Sequence, residues 1–242
     1  MQAVEVKNLS FAYPGKQAVL HDICFVANIG EIFVIAGLSG SGKTTLCQLL
    51  CGIIPHAVKG SVSGEITVMG LNPLVAGLTQ TSLKAGMVFQ DPDSQIICTT
   101  VEDELAFGLE NLCWPPPIIQ RRVEYLLREF DLCGLRNVNP ALLSGGQKKL
   151  LTIAAVLAPS PPVLIMDEPF SGLDSEGRAL VRAAIETQRR QGRTVLVVEH
   201  DLKLATFADK WLLLANGAVI SCGAPADIMQ QKNLLKELRL LP

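Results

Sequence analysis

The chain has 242 residues, of which 49% are apolar, so it is long and hydrophobic enough to bury a sizeable core. Its formal net charge of -2 gives no basic field for nucleic acid, and we expect no nucleic-acid partner. The seven cysteines are scattered, odd in number and without a Cys-x-x-Cys pair, which argues against a disulfide framework and against a zinc site.

The N-terminal sequence and the longest uncharged run bear on targeting to a membrane. The N-terminal sequence MQAVEVKNL interleaves acidic and basic residues, so it predicts no signal peptide. The longest uncharged run, Leu150 to Met166, contains three prolines and is shorter than the roughly 20 residues that a membrane helix needs. We therefore expect no membrane-spanning segment, and a reducing cytosol suits the free cysteines.

Two kinds of strand pattern occur along the chain. Alternating apolar residues at Val4 to Leu9 and Gly64 to Met69 predict an antiparallel layer. Short apolar runs at Ile32 to Ala36, Val163 to Met166 and Val195 to Val198 are separated by helical patterns, which is typical of buried parallel strands. An α/β core with an antiparallel layer beside it is the predicted architecture.

Helical periodicity replaces the strand pattern between Gln90 and about Ala155, which predicts an inserted helical sub-domain within a core of residues 1–89 and 156–242. One helix is predicted to begin near Thr100, which precedes Asp103 by three residues as a capping residue does. Prolines 115 to 117 separate two helices, because they cannot lie in a helix interior. A short amphipathic helix is predicted for Leu234 to Leu241. The periodic positions are Leu105, Leu109, Leu112, Val123, Leu126, Leu127 and Phe130.

A glycine-rich segment, GLSGSGKTT at residues 37–45, lies between the first core strand and an apolar helix predicted for Leu46 to Cys51. It matches G-x-x-x-x-G-K-[ST] in the strand-loop-helix context that confirms this phosphate-binding motif. Its backbone N–H groups and the helix dipole suit phosphate, Lys43 would neutralise β- and γ-phosphate charge, and the Thr44 hydroxyl would hold Mg²⁺. The predicted nucleotide contacts are Gly37, Leu38, Ser39, Gly40, Ser41, Gly42, Lys43, Thr44 and Thr45.

Two further strands deliver polar residues to the same predicted edge of the sheet. In VLIMDEP, Asp167 is expected to bind Mg²⁺ and Glu168 to orient the attacking water or accept its proton. The alternative for the pair is a helix N-cap. In TVLVVEH, His200 is either structural or, beside Lys43 and Glu168, a γ-phosphate sensor.

A second serine and glycine turn, LLSGGQKKL at residues 142–150, opens another helix and offers a second anion-binding N-terminus. Because one phosphate loop already provides a cradle, the use expected for this turn is a nucleotide held by another subunit.

With LSGGQ in place, the chain resembles the nucleotide-binding subunit of an ABC transporter over its whole length. The resemblance implies a P-loop NTPase fold with a RecA-like parallel-sheet core, and ATP and Mg²⁺ as cofactors. Tyr13 matches the aromatic residue that stacks on adenine, and the resemblance places Gln90 near Mg²⁺ and the attacking water. The segment SGLD, which contains Asp174, matches the D-loop at the subunit interface.

The resemblance further implies a head-to-tail dimer in which the signature of one subunit contacts ATP bound by the other. The signature residues are Ser144, Gly145, Gly146 and Gln147. Homodimer and heterodimer both stay open, because the chain ends with only a short C-terminal helix.

Within this family, VFQDPDSQI followed by TTVEDELAFGLEN is similar to the energy-coupling factor (ECF) type, whose members take up vitamins or metal ions in prokaryotes. The resemblance implies a peripheral subunit on the cytoplasmic face of the membrane, with a transmembrane coupling protein and a substrate-capture membrane protein as partners. It assigns Asp91 to Gln95 to docking of the membrane partner, whereas the residues alone favour a solvated turn.

Two departures from the family pattern occur, Leu150 in place of an arginine and Phe170 in place of a small residue, and we expect activity to survive both. Two other functions stay open on the residues: a soluble ABC-class ATPase acting on nucleic acid or ribosomes, and a P-loop phosphotransferase.

Overall fold

The structure is a computed structural model that describes residues 1–238 and Leu240. The described residues form strands β1 (Gln2–Ala12), β2 (Ala18–Asn28), β3 (Ile32–Ala36), β4 (Ser61–Val68), β5 (Ala85–Val88), β6 (Val163–Asp167), β7 (Thr194–Glu199), β8 (Lys210–Ala215) and β9 (Ala218–Gly223). The α-helices are α1 (Lys43–Leu50), α2 (Ile53–His56), α3 (Leu78–Ser82), α4 (Val101–Asn111), α5 (Pro116–Glu129), α6 (Gly145–Leu157), α7 (Ser175–Arg190), α8 (Pro225–Gln230) and α9 (Lys232–Glu237).

The larger sheet has six strands in the order β5, β6, β7, β3, β8 and β9. The first five pair in parallel, and β9 returns antiparallel to β8. Every residue of β3, β6 and β7 is buried, which explains why unbroken apolar runs predict these strands. The three predicted core strands are confirmed. Strand β5 has only four residues, and the sequence from Met87 onward begins like a strand. The sequence analysis does not identify β8, although its apolar run at 211–215 could have been found.

The smaller sheet confirms the predicted antiparallel layer and, with the larger sheet, the α/β fold class. Strand β1 lies between β2 and β4 and pairs with both in antiparallel fashion. The segment predicted for Gly64 to Met69 is longer in the structure, where β4 begins three residues earlier, at Ser61, and ends one residue earlier, at Val68. Strand β2 escapes prediction because bulges in its pairing with β1 interrupt the simple alternation of buried and exposed residues.

Helices occupy the region in which the sequence predicts them, and no strand occurs between residues 89 and 162. Helix α4 begins after Thr100, whose hydroxyl accepts a hydrogen bond from the Asp103 N–H at 3.1 Å. Helix α5 begins with prolines in its first turn, where a missing N–H costs nothing. Helix α6 continues to Leu157, beyond the predicted sub-domain limit, and the division of the chain at residues 90 and 155 stays a prediction.

The larger sheet separates two hydrophobic clusters. Ile32 and Val34 face the cluster that contains α4 to α7, whereas Phe33 and Ile35 face α1 and the antiparallel layer. Strand β3 lies inside the sheet between β7 and β8, and β6 lies on the far side of β7. The loops after β3, β6 and β7 therefore leave the same carboxyl edge, where ligands of open α/β sheets bind.

Two predicted helices need correction. Helix α1 begins at Lys43 rather than Leu46, because the glycine loop leads directly into the first helical turn. The C-terminal helix α9 ends at Glu237, and the predicted end at Leu241 lies outside the described residues. In the part of the chain that the structure describes, none of the helices has the length and apolar character to cross a membrane.

Candidate active site

The glycine-rich loop connects β3 to α1 and is shaped by its glycines. A Cβ on Gly37 would lie 2.2 Å from the carbonyl oxygen of Leu214 in β8, so only glycine fits there. Gly40 and Gly42 have φ angles of +80° and +100°, which residues with a side chain rarely adopt. The buried Ser41 hydroxyl has no hydrogen-bond partner within the described residues. A buried polar group left open in such a loop fits a phosphate oxygen as its partner.

Lys43 folds back over this loop. Its Nζ donates hydrogen bonds to the carbonyl oxygens of Gly37 and Leu38, both at 2.8 Å. Burial lowers the pKa of this ammonium, while the carboxylates of Glu168 and Asp167 act to raise it. Lys43 is therefore held at the loop beside two acids, where it can pair with phosphate.

The side chains of Thr44 and Asp167 are in direct contact. The Thr44 hydroxyl donates to Oδ2 of Asp167 at 2.7 Å, although the two residues are 123 positions apart. Burial raises the pKa of Asp167, and the hydrogen bond from Thr44 acts to lower it. A hydroxyl and a buried carboxylate side by side are hard oxygen ligands, so this pair fits Mg²⁺ completed by substrate phosphates and water. When bound, Mg²⁺ supplies charge neutralisation of the phosphate oxygens.

Glu168 follows β6 with a φ angle of +44°, a conformation that is uncommon for residues other than glycine. Its side chain contacts two predicted site residues. Nε2 of Gln90 donates to Oε2 of Glu168 at 3.0 Å, and Nδ1 of His200 lies 3.5 Å from the same oxygen. The structure thus brings together Gln90, Glu168 and His200, which belong to three separate parts of the sequence.

Glu199 is a site residue that the sequence analysis does not identify. It ends β7, is 1% exposed, and its Oε1 lies 3.3 Å from Nδ1 of His200. The same oxygen accepts a hydrogen bond from the His200 N–H at 2.9 Å. Burial raises the pKa of this carboxyl, whereas the hydrogen bonds that it accepts from the backbone N–H groups of His200 and Asp201 act to lower it. A charged residue at the end of an otherwise apolar strand is the signal that could have found it.

Tyr13 lies close to the glycine loop, on the antiparallel layer side. Its hydroxyl is 3.1 Å from that of Thr45, and its ring packs edge-on against Phe11 with centroids 4.8 Å apart. Its predicted contact with adenine stays a prediction.

The signature residues form a separate surface of the subunit. Ser144 caps α6 in a reciprocal capping box with Gln147, and Asp174 caps α7 through the Gly177 N–H. The signature and the start of α7 line one cavity of about 370 Å³. Another cavity, of about 250 Å³, is lined by Gln90, Glu168, Val19 and the loop residues Ser39, Gly40, Gly42, Lys43, Thr44 and Thr45.

Comparison with known proteins identifies the family of this chain. The sequence model of the ABC transporter family matches residues 20–171. The chain belongs to the ABC transporter family. It is an ABC-type ATPase, and its predicted membership of this family is confirmed.

Relatives of this ABC ATPase include ECF-type proteins. A Methanosarcina mazei protein named as an ABC transporter ATP-binding protein is 40% identical over 220 residues, which cover 90% of this chain and 38% of that protein. The chain thus spans well under half of that relative. The energy-coupling factor transporter ATP-binding protein EcfA1 of Latilactobacillus sakei is 37% identical over 239 residues, which cover 98% of this chain and 84% of EcfA1.

A solved structure shows the same fold. CbiO1 of Clostridium perfringens, described as part of the ABC transporter complex CbiONQ, has a TM-score of 0.85 and 31% identity and covers 99% of this chain and 95% of its own. The two departures of this ABC ATPase from the family pattern are buried in its core. Leu150 and Phe170 are 8% and 2% exposed, and neither lines the glycine-loop cavity.

Proposed function

We propose that this chain hydrolyses ATP to power the import of a small substrate, a vitamin or a metal ion, as the peripheral subunit of an ECF-type transporter. The observation that carries the proposal is the convergence of Lys43, Thr44, Gln90 and Glu168 around one cavity at the carboxyl edge of the sheet. The similarity to EcfA1 supports the transporter type.

In this mechanism the glycine loop and Lys43 bind the β- and γ-phosphates of ATP, and Thr44 and Asp167 hold Mg²⁺. The Glu168 carboxylate orients the attacking water or takes its proton, and the amide of Gln90 holds that carboxylate in place. His200, on the other side of Glu168, is suited to sense the γ-phosphate. Positioning and charge stabilisation supply most of the rate enhancement in such phosphoryl transfer.

The separate position of the signature cavity supports a dimer. A signature that lines its own cavity is available to a nucleotide bound by a second cassette, either a copy of this chain or a related subunit. In a head-to-tail dimer, Ser144 and Gly146 of each subunit would contact the ATP of the other, and Asp174 would lie at the interface. ATP then holds the dimer together, and its hydrolysis releases it.

A membrane partner has a suitable groove beside Gln90. An open groove of about 430 Å³ lies between α3 and β5 on one side and α4 and α6 on the other, and its lining includes Leu78, Phe89, Leu112 and Val156. Leu78 is 43% exposed, so the groove offers an apolar surface to a partner. We assign it to a helix of the transmembrane coupling protein, on the cytoplasmic face of a prokaryotic membrane. A separate substrate-capture membrane protein completes the transporter.

The docking assignment is tested by isolating tagged protein from its native membranes. A charge in the groove, Leu78→Glu, should abolish recovery of membrane-spanning partners, because an isolated charge is costly to bury in an apolar interface. Ile220→Glu is the matched control, since Ile220 is 45% exposed on β9, at the opposite edge of the larger sheet from β5. Equal recovery of membrane partners by both variants would contradict the docking assignment. Recovery of nucleic acid or ribosomes in place of membrane partners would contradict the proposed function.

A further inference from the structure

Lys149 is a buried cation that the proposed mechanism does not use. It lies on the signature helix α6, five residues after Ser144, and is 1% exposed. Its Nζ donates hydrogen bonds to two main-chain carbonyl oxygens, those of Phe89 at 3.2 Å and Gln90 at 2.6 Å. An ammonium buried this deeply needs strong acceptors, and here the acceptors belong to a segment 59 and 60 residues away.

These two hydrogen bonds connect the signature helix to the catalytic carboxylate. Lys149 fixes the backbone of Gln90, and the side chain of Gln90 donates to Glu168 at 3.0 Å. Between Ser144 and Lys149 there is continuous α-helix, which moves as a rigid rod over so short a distance. If the start of α6 is displaced, the Lys149 side chain therefore moves with it and displaces the backbone of Gln90.

We propose that Lys149 is a positioning residue, which ties the signature helix to Glu168 through the main chain of Gln90. The inference rests on the proposed function and deepens it. When the partner's ATP engages Ser144, α6 and Lys149 move together, and Gln90 sets the Glu168 carboxylate for hydrolysis in the same subunit. The two ATP sites of the dimer are in this way coupled through the interior of each subunit.

The neighbouring Lys148 does not have this role. Its Nζ forms an ion pair with Oδ1 of Asp93 at 2.7 Å, and the Asp93 side chain is 67% exposed. A solvent-exposed pair of this kind contributes little and yields easily to water. Lys149 differs because its side chain is buried and because its hydrogen bonds include one to the residue that contacts Glu168.

The test is a double-mutant cycle of Lys149→Met and Gln90→Ala, with Lys210→Met as the matched control. Lys210 also donates to a main-chain carbonyl, that of Val26 at 3.2 Å, at the opposite end of β8 from the Leu214 carbonyl that adjoins the glycine loop. Lys149→Met should lower kcat for ATP by about tenfold or more, since a small misplacement of a catalytic group can cost about a hundredfold. The KM for ATP should change by less than about threefold, because Lys149 does not line the glycine-loop cavity.

In the double-mutant cycle, Lys149→Met should lower kcat very little once Gln90 is alanine. Both changes act on the contact between Gln90 and Glu168, so their effects are not independent. Lys210→Met should leave kcat unchanged. The proposal would be overturned if the fold-decrease in kcat of the double variant equalled the product of the two single-variant decreases. A normal kcat in Lys149→Met protein that melts cooperatively would also overturn it. If Lys149→Met fails to fold, Lys149→Gln is put through the same cycle and judged by the same two outcomes.

Hydrogen exchange separates this inference from the proposed function, because it needs no ATP turnover. The backbone amides of residues 89–96 should exchange faster in Lys149→Met and at the wild-type rate in Lys210→Met. If wild-type protein lacked ATP turnover, the proposed function would fail. The exchange difference would still show whether Lys149 holds the main chain at Gln90 in place. Equal exchange rates in Lys149→Met and Lys210→Met would show that Lys149 does not hold this segment in place.

Discussion

The side chains of Gln90 and Glu168 are in direct contact, with 3.0 Å between Nε2 and Oε2, although 78 residues separate them in the sequence. Gln90 follows β5, and Glu168 follows the neighbouring strand β6. Because β5 and β6 are adjacent parallel strands, both end at the same edge of the sheet. The order of the strands therefore brings Gln90 and Glu168 together. It places the start of the predicted docking segment beside the residue that is proposed to activate water.

This contact predicts the effect of removing the amide. In Gln90→Ala, the Glu168 carboxylate loses its donor and its orientation, so kcat for ATP hydrolysis should fall by about tenfold to a hundredfold. ATP binding should change little, which equilibrium binding of a fluorescent ATP analogue can measure. An unchanged kcat in the free protein and in the assembled transporter would remove Gln90 from the mechanism.

Glu168→Gln preserves the size of the side chain and removes its negative charge. We expect kcat to fall by about a thousandfold, because a catalytic base and a positioned charge are lost together. ATP should still bind, since Lys43 and the glycine loop are intact, and the ATP-bound dimer should accumulate in size-exclusion chromatography. Glu65→Gln, an exposed acid on β4 that lines neither the glycine-loop cavity nor the signature cavity, is the control. Normal turnover by Glu168→Gln would show that another residue activates water.

Gln95 has a local role that the sequence does not predict. Its Oε1 accepts a hydrogen bond from the Phe89 N–H at 3.0 Å, and its Nε2 donates to the Met87 carbonyl at 2.9 Å. The side chain is thus held against the chain at the end of β5, so assembly defects in Gln95 variants would follow from a displaced loop. Gln95→Ala should lower the free energy of unfolding by about 1–3 kcal/mol, because backbone groups lose their partners.

Asp93 provides the comparison for Gln95. Asp93→Asn removes only the exposed pair with Lys148, so it should change the free energy of unfolding by at most about 1 kcal/mol. Its predicted role is docking, and we expect it to weaken recovery of the membrane partner. Chemical denaturation of both variants measures the difference, and similar stability losses in the two would contradict it.

Glu199 predicts a pH-dependent stability. Because burial raises its folded-state pKa above the ordinary value of 4.5, the folded protein holds this proton more tightly than the unfolded chain does. The contribution of this carboxyl to the free energy of unfolding is fully present below pH 4.5 and is lost as pH rises through the folded-state pKa. Glu199→Gln cannot lose a proton, so its melting temperature relative to wild type should increase from pH 4.5 upward. A constant difference between pH 4.5 and 8 would argue against a raised pKa.

The local motifs were predictable because their geometry is set by neighbouring residues. Gly37 to Thr45 form a loop and a helix start within nine positions, and unbroken apolar runs identify β3, β6 and β7. Since parallel strands end at one edge, the meeting of Lys43 with Asp167 and Glu168 also follows from the sequence. Helix starts at Thr100 and Ser144 are predictable for the same local reason.

The sequence by itself thus determined the fold class and the family, and it predicted the residues that are proposed to carry the phosphate chemistry. Only the tertiary structure decided which buried polar groups pair with one another. Lys149 reaches Gln90, Gln95 turns back to Phe89, and Glu199 lies against His200, and none of these pairings follows from a periodic pattern. The physical reason is that an apolar run needs only burial, whereas a buried donor needs one particular acceptor, whose position depends on how all the layers pack.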